Sequence, residues 1–293
     1  MKKYKRKKFT KLDIVVTLIM VICVVLVIVP FWNAIVISFS TNEAYIHNKF
    51  SLWPAEFTWD NYRAILTRGK GLITAYKNTI WVSIIGTVGG MVVMTCAAYA
   101  FSRRFPGRRA IFLISIFSMY FGGGVVPTYL NIKNLGLLNS FTGVIMLTLV
   151  SVNHTILIMK GFEAVPKELE EAAMIDGAHD LQIFKTVMLP LNKPILATIS
   201  LFTFVSLWND WYWPMLIIND SDMTLLQVYV RNIIKAADSM TTGLAASESA
   251  VNVSFSMGIQ MATILVVIIP VMCIYPFVQK YFVKGIYVGS VKM

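Results

Sequence analysis

IVVTLIMVICVVLVIVPFWNAIVIS, residues 14–38, carries no charged side chain over its 25 positions. A helix needs about 20 predominantly apolar residues to cross the hydrocarbon core of a bilayer. This one stretch is therefore long enough to span. It follows a tail holding Lys2, Lys3, Lys5, Arg6, Lys7, Lys8 and Lys11, a flank that secretory signal peptides share. Their apolar region is shorter, however, and a small-residue cleavage site ends it. Neither feature is present, so the stretch is expected to remain as a first transmembrane helix.

The rest of the chain follows the same pattern. Of 293 residues 57% are hydrophobic and 14% charged, where a soluble domain carries about 25% charged residues. Six apolar runs are long enough to span: 14–38, 75–101, 110–127, 141–160, 194–218 and 256–279. The fold class this implies is all-α, a polytopic membrane protein with six transmembrane helices. The third run ends in FGGGVVP (Phe121–Pro127), where three glycines and a proline should weaken or unwind the helix. The expected organisation is a basic tail (1–13), the first span (14–38), an outer loop (39–74), a transmembrane core (75–280) interrupted by a cytoplasmic loop (161–192), and a C-terminal tail (281–293).

Lys and Arg fix the orientation, because they accumulate on the cytoplasmic side. With six alternating spans, the N-terminal tail, the loop SRRFPGRR (102–109), the 160–193 segment and the end of the chain share one side. Together they hold 18 of the 26 basic residues. Both termini are then inside, and the net charge of +11 reports topology and anionic lipid; no separate basic domain exists to bind nucleic acid. The outer loops are too short to be independent receptor or enzyme domains. One of them, Thr224–Ala237, reads as an amphipathic helix lying at or near the surface. Cys23, Cys96 and Cys273 are far apart within apolar runs, and His47, His154 and His179 are scattered. No metal site and no clustered catalytic residues are expected. RGKG (Arg68–Gly71) fails as a phosphate-binding loop, because Ala64 and Gly71 occupy the positions where that motif needs Gly and Ser or Thr.

The cytoplasmic segment VPKELEEAAMIDGAHDLQIFKTVMLP (Val165–Pro190) is unlike a simple linker. Pro166 suits a first helical turn, and Glu168, Glu170 and Glu171 complement the helix dipole. Gly177 is placed to stop that helix, and Asp180 to cap a second one limited by Pro190. Leu169, Ala172, Ala173 and Asp176 share a face by their spacing. Small alanines admit a close partner, and flanking acids can meet basic residues on it. The bland reading is a connector resting on lipid headgroups; three glutamates facing an anionic leaflet count against it.

Polar residues within spans mark candidate solute contacts. Those of the fifth run are Trp208, Asn209 and Asp210, where amides and carboxylates can bond hydroxyls and indoles can stack on sugar rings. Asn78, Tyr120 and Asn153 are further candidates, each equally able to satisfy a neighbouring backbone. Trp211, Tyr212 and Trp213 read as an interfacial aromatic belt, and Asp210 as a structural cap is an open alternative. The spacing of Gly86 and Gly90 suits close helix packing.

The run from Glu170 to Pro190 resembles the Glu-Ala-Ala loop of ABC importer permeases: Glu171-Ala172-Ala173, three residues, Gly177, then a hydrophobic stretch ending in Leu189-Pro190. AYAFSRRFPGRR (Ala98–Arg109), WNDWYWPM (Trp208–Met215) and YFVKGIYVGSVK (Tyr281–Lys292) are similar to the maltose-type sugar permeases. GGGVVPTYLNIKNLGLLNS (Gly122–Ser140) is similar to a subgroup often found with complex or acidic oligosaccharides. The resemblance implies a permease subunit of an ATP-driven oligosaccharide importer in a bacterial plasma membrane. Its partners would be a second homologous permease, a cytoplasmic ATPase homodimer and a periplasmic or lipid-anchored sugar-binding protein. The chain would bind no cofactor itself, with ATP and Mg held by the ATPase. Coupling would run through Glu168, Glu171, Ala172, Ala173, Asp176, Gly177, Leu189 and Pro190, and the tail at Lys284 and Gly285 would contact the ATPase pair. A permease of the same superfamily for amino acids or peptides is the alternative. A membrane-embedded enzyme would need clustered catalytic residues, and a secondary transporter an inverted repeat of broken helices.

Overall fold

Thr10 and Asp13 start the first helix by capping each other's backbone N–H groups, and α1 (Lys11–Ser38) then runs for 28 residues through the first apolar run. The computed structural model describes residues 10–48, 50–68, 70–241 and 257–290, without the side chains of 42, 46, 68, 70, 236–241 and 274–290. The chain divides into two compact units, residues 1–69 with 233–267, and residues 70–232 with 268–293. Regular structure among the described residues is helical, apart from one antiparallel bridge between Ser40 and Phe57.

In the smaller unit, α1 leaves its apolar side chains from Leu12 to Val29 exposed and buries only Val36, Ile37 and Ser38 at its end. That pattern fits a helix whose solvent is hydrocarbon. α2 (Asn42–His47) and α3 (Asp60–Arg68) follow. Asn61 fastens the turn after α1 by donating from Nδ2 to the carbonyls of Ser38 at 2.9 Å and Ser40 at 3.0 Å. Phe39, Phe57, Trp59 and Tyr62 pack ring against ring around it.

The larger unit is organised on α4 (Lys70–Ser102), unbroken over 33 residues. The third expected span is two helices, α5 (Arg108–Tyr120) and α6 (Val125–Asn134), bent by 116°. The chain unwinds between them at Gly122–Gly124, where Gly124 adopts φ +84°. The fourth run, expected as one helix, is also two: α7 (Phe141–Thr148) and α8 (Val152–Glu163), at 53°. Ser151 causes the restart, its hydroxyl accepting from the His154 N–H as an N-cap. The fifth run breaks after α12 (Lys193–Asn209), and Asp210 begins α13 (Tyr212–Ile217) by accepting from the N–H groups of Tyr212 and Trp213.

Between α8 and α12 lie α9 (Lys167–Ile175), α10 (Asp180–Ile183), a π-helical turn (Phe184–Met188) and α11 (Leu189–Leu191). The last three form one continuous run that meets α12 at an 80° bend. α14 (Leu226–Thr241) covers the stretch expected to lie on a surface, yet Leu226, Val228 and Val230 are buried. Its first turn is fixed by the Leu226 N–H donating to Thr79 Oγ1 at 2.8 Å. α15 (Met257–Ser290) continues as helix past the expected limit of 279. Lys284 and Gly285 fall in it, with side chains outside the described residues; residues 1–9 of the basic tail also lie outside them.

α1 and α4 are each long and apolar enough to cross a membrane, and the bent pairs α5–α6, α7–α8 and 180–191 with α12 qualify jointly. Among the described residues, two apolar cores lie in the larger unit. One gathers Met94, Ala98, Ile158, Met159, Phe162, Ile183, Met188 and Ile199; the other gathers Val82, Ile132, Val144, Leu207, Ile217 and Leu225. The close approach runs through glycine. A Cβ at Gly86 would stand 2.8 Å from Leu207 Cδ1, and one at Gly90 would stand 2.8 Å from the Leu149 carbonyl oxygen. The Gly86–Gly90 spacing thus packs α4 against its own chain.

Overpacking of this kind costs about 1–3 kcal/mol. Gly90→Ala is expected to lower the melting temperature of the detergent-purified protein clearly, because backbone cannot yield. Gly89→Ala meets only the flexible Leu149 Cδ1, at 3.3 Å, and is expected to leave it nearly unchanged.

Candidate functional site

Pro166 stands as N-cap of α9, one position earlier than a first-turn residue, and Glu168 and Glu170 fall in the first turn. Gly177 ends the helix with φ +82°, a left-handed conformation that costs other L-residues about 1–2 kcal/mol. The next helix is capped by His179 and not by Asp180. His179 Nδ1 accepts from the Gln182 N–H, and the Gln182 side chain accepts from the His179 N–H. Asp180 occupies the first turn instead.

The acids of α9 divide by direction. Glu170 turns inward and pairs with Arg103, just past the end of α4; their side chains are 13% and 28% exposed. Arg103 also donates to the Tyr99 hydroxyl at 2.8 Å and lies over the Tyr99 ring. That hydroxyl donates to the Asp180 carbonyl at 3.2 Å. Burial alone would lower the Arg103 pKa, but Tyr99 and Glu170 outweigh it and raise it, so the guanidinium stays charged. Nearby, Glu163 accepts from Arg108 at 3.2 Å and Lys160 at 2.8 Å. Tyr99, Phe162 and Phe184 pack their rings together beneath this network.

Glu168, Glu171, Ala172 and Asp176 are exposed, whereas Ala173 turns inward against the core, as does Leu189. Pro190 is exposed within α11. The outer face of α9 also presents Leu169 and Met174, about half exposed, and Ile175, 86% exposed. The last two, with Arg103, were not singled out as site residues by the sequence reading, which placed Glu170 only against the helix dipole. An apolar residue that open at a helix end was a readable signal; the inward turn of one glutamate among three was not. The result is an acidic helix with an apolar outer face, clamped from behind by an ion pair and an apolar core.

The polar residues within the spans scatter. Asn78 donates from Nδ2 to the carbonyls of Asp222 at 2.8 Å and Thr224 at 3.1 Å, holding the loop before α14. Trp208 is 2% exposed, beside Phe204 and Tyr76. Asn209 is exposed and accepts from Gln227 at 3.3 Å. Asp210 is a helix cap, as already described. Trp211 carries Arg231 over its ring at 3.7 Å, a cation–π contact. Tyr120, 74% exposed, ends α5. Asn153 borders a cavity of about 440 Å³ with His154, Ser118 and Ser206. Among the described residues no group of three His, Cys, Asp or Glu side chains is arranged to hold a metal ion.

Comparison with known proteins gives a consistent result. Residues 71–287 match the family described as binding-protein-dependent transport system inner membrane component. The chain is 38% identical to the polygalacturonan/rhamnogalacturonan transport system permease protein YtcP of Bacillus subtilis (strain 168), over 90% of this chain and 92% of that protein. It is 35% identical to Protein LplC of the same organism, over 90% and 89%. It is also similar to a chain from the crystal structure of a bacterial ABC transporter involved in the import of the acidic polysaccharide alginate. That match has a TM-score of 0.84 and 32% identity, over 94% of this chain and 99% of that one.

Removing one partner of a partly buried charge pair leaves the other unpaired, at a cost of about 1–3 kcal/mol. Glu170→Ala and Arg103→Ala are each expected to destabilise the protein by that amount in thermal melts. The double variant is expected to lose clearly less than the sum of the two, since each single change removes the same pair.

Proposed function

Because the chain belongs to the family of binding-protein-dependent transport system inner membrane components, we propose that it is one of two permease subunits of an ATP-driven oligosaccharide importer. The family is one of transporter permeases, so the chain translocates solute and catalyses no reaction of its own. A cytoplasmic ATPase pair hydrolyses ATP with Mg, a second permease completes the path, and an external binding protein delivers the sugar. The membrane is a bacterial plasma membrane, crossed six times with both termini inside; the side holding 18 of the 26 basic residues supports that orientation. Similarity to permeases named for polygalacturonan/rhamnogalacturonan and to a transporter of alginate supports a polymeric or oligomeric saccharide as cargo.

The observation that carries the mechanism is the outward apolar face of α9. Leu169, Ala172 and Ile175 form a small hydrophobic knob with Glu168, Glu171 and Asp176 as its acidic rim. A cytoplasmic cleft with basic edges accepts it. The Arg103–Glu170 pair, the inward Ala173 and the Tyr99–Phe162–Phe184 rings tie the knob to α4 and α8. A displacement of the knob on ATP binding is therefore passed to helices that line the path. The ATPase then favours whichever permease conformation it grips more tightly. Gly177 and the Leu189–Pro190 end set the bounds of the moving element.

Burying Ile175 contributes about 1.5–3 kcal/mol at a partner surface. Ile175→Asp is expected to abolish co-purification of the ATPase with the two permeases and to stop uptake, with the permease pair still assembled. Glu171→Ala is expected to weaken the same association. Full ATPase binding and full substrate-stimulated hydrolysis in both variants would overturn the coupling role of α9.

A further inference from the structure

The break between α7 and α8 opens onto the cavity of about 440 Å³, within the range of about 300–1,000 Å³ in which small-molecule sites fall. All of its lining comes from the larger unit. Its polar groups are Ser118, Thr148, Ser151, Asn153, His154, Thr203 and Ser206, and no Lys, Arg, Asp or Glu lines it.

Several of these groups are already engaged. The Ser118 and Thr148 hydroxyls donate back to carbonyls of their own helices, and Ser151 caps α8. His154 Nδ1 lies 3.5 Å from Thr203 Oγ1, which itself donates to the Ile199 carbonyl. The imidazole is thereby oriented, with Nε2 left over. The Asn153 carboxamide and the Ser206 hydroxyl are exposed and make no hydrogen bond within the described residues. Both lie well inside the fourth and fifth apolar runs, far from either end. A polar side chain at that depth is expensive against lipid and persists where it meets water, protein or a solute.

Resting on the carbohydrate-importer reading, we propose that this cavity is a saccharide subsite belonging to this chain. Asn153, Ser206 and His154 Nε2 bond the hydroxyls of one passing sugar residue, while Met119 and Leu147 cover its C–H surface. Hydroxyls, not carboxylates, are what this lining reads. It offers neutral donors and acceptors in both directions and no fixed charge, so a sugar ring exchanges water hydrogen bonds for protein ones with no ion pair to break on release. The subsite is weak by construction, as a translocation step requires.

The test uses the complete transporter in proteoliposomes, with Cys23, Cys96 and Cys273 replaced by Ser. Trigalacturonate, trimannuronate and maltotriose are offered through the binding protein. Ser206→Cys is treated with a water-soluble methanethiosulfonate, and Ser118→Cys, on a different helix, serves if the first variant does not assemble. The expected result is modification of the cysteine in at least one nucleotide state, slowed several-fold during turnover with an imported saccharide. Asn153→Leu is expected to raise the half-saturating saccharide concentration for import about tenfold, equivalent to about 1.4 kcal/mol. Two results overturn the subsite. One is modification unaffected by an imported saccharide. The other is no modification in any state, meaning that a sister subunit or lipid fills the cavity. Absence of import of all three saccharides by the parent transporter counts instead against the carbohydrate reading, and the two failures are separable.

Discussion

A helix surrounded by hydrocarbon can satisfy its backbone only with itself, and that constraint governs where this chain is free to break. α4 never breaks. The break after α7 is pressed against it, with the Leu149 carbonyl opposite Gly90 and the Ser151 N–H directed at the Met94 sulfur at 3.4 Å. The break after α12 is closed by the Asp210 carboxylate on two backbone N–H groups. At the Gly122–Gly124 break all three residues are exposed, so water or another subunit must serve the backbone there. Small residues on α4 and local caps on its neighbours are two sides of one solution: α4 supplies the room, and the caps supply the missing hydrogen bonds.

The same economy explains the end of α4 that meets α9. Arg103 sits one residue beyond α4, where the helix has run out of apolar length but its side chain is still sheltered by Tyr99. Glu170 reaches it from α9 and is itself sheltered by the fit of Ala173 into the core. A pair of this kind adds little net stability over apolar substitutes. What it gives is a fixed bearing. α9 can be moved as a rigid piece only if its inner face is attached at several points, and here a charge pair, an alanine and an aromatic cluster attach it.

Much of this was legible in the sequence. Apolar length gave the long helices, three glycines gave the unwinding after α5, and Gly177 gave the end of α9. Two of the misreadings share a cause: neither hydropathy nor residue type sees local capping. The run 141–160 reads as uniform because Ser151 is one polar residue among many apolar ones, yet its hydroxyl restarts the backbone. Asp180 looks like a cap by residue type, but His179 and Gln182 form a reciprocal pair that wins. Trp208 is attractive as a sugar platform by composition, but its ring is enclosed by Tyr76 and Phe204. Glu170 differs from Glu168 and Glu171 only in angle around a helix, which becomes meaningful once Arg103 is in place.

The π turn at Phe184–Met188 has a consequence for what lengths of chain this segment can tolerate. Ile183 and Met188 are both fully enclosed, although they are five residues apart. On an ordinary α-helix such a pair would point about 140° away from each other. The wider π turn brings them round to one side. The run from Asp180 to Leu191 therefore counts as carefully as it packs. Deleting one residue between them would restore the ordinary ladder with the two side chains four apart, about 40° from each other and still on one side, whereas adding one would swing them about 120° apart, so this stretch should tolerate the loss of a residue better than the gain of one.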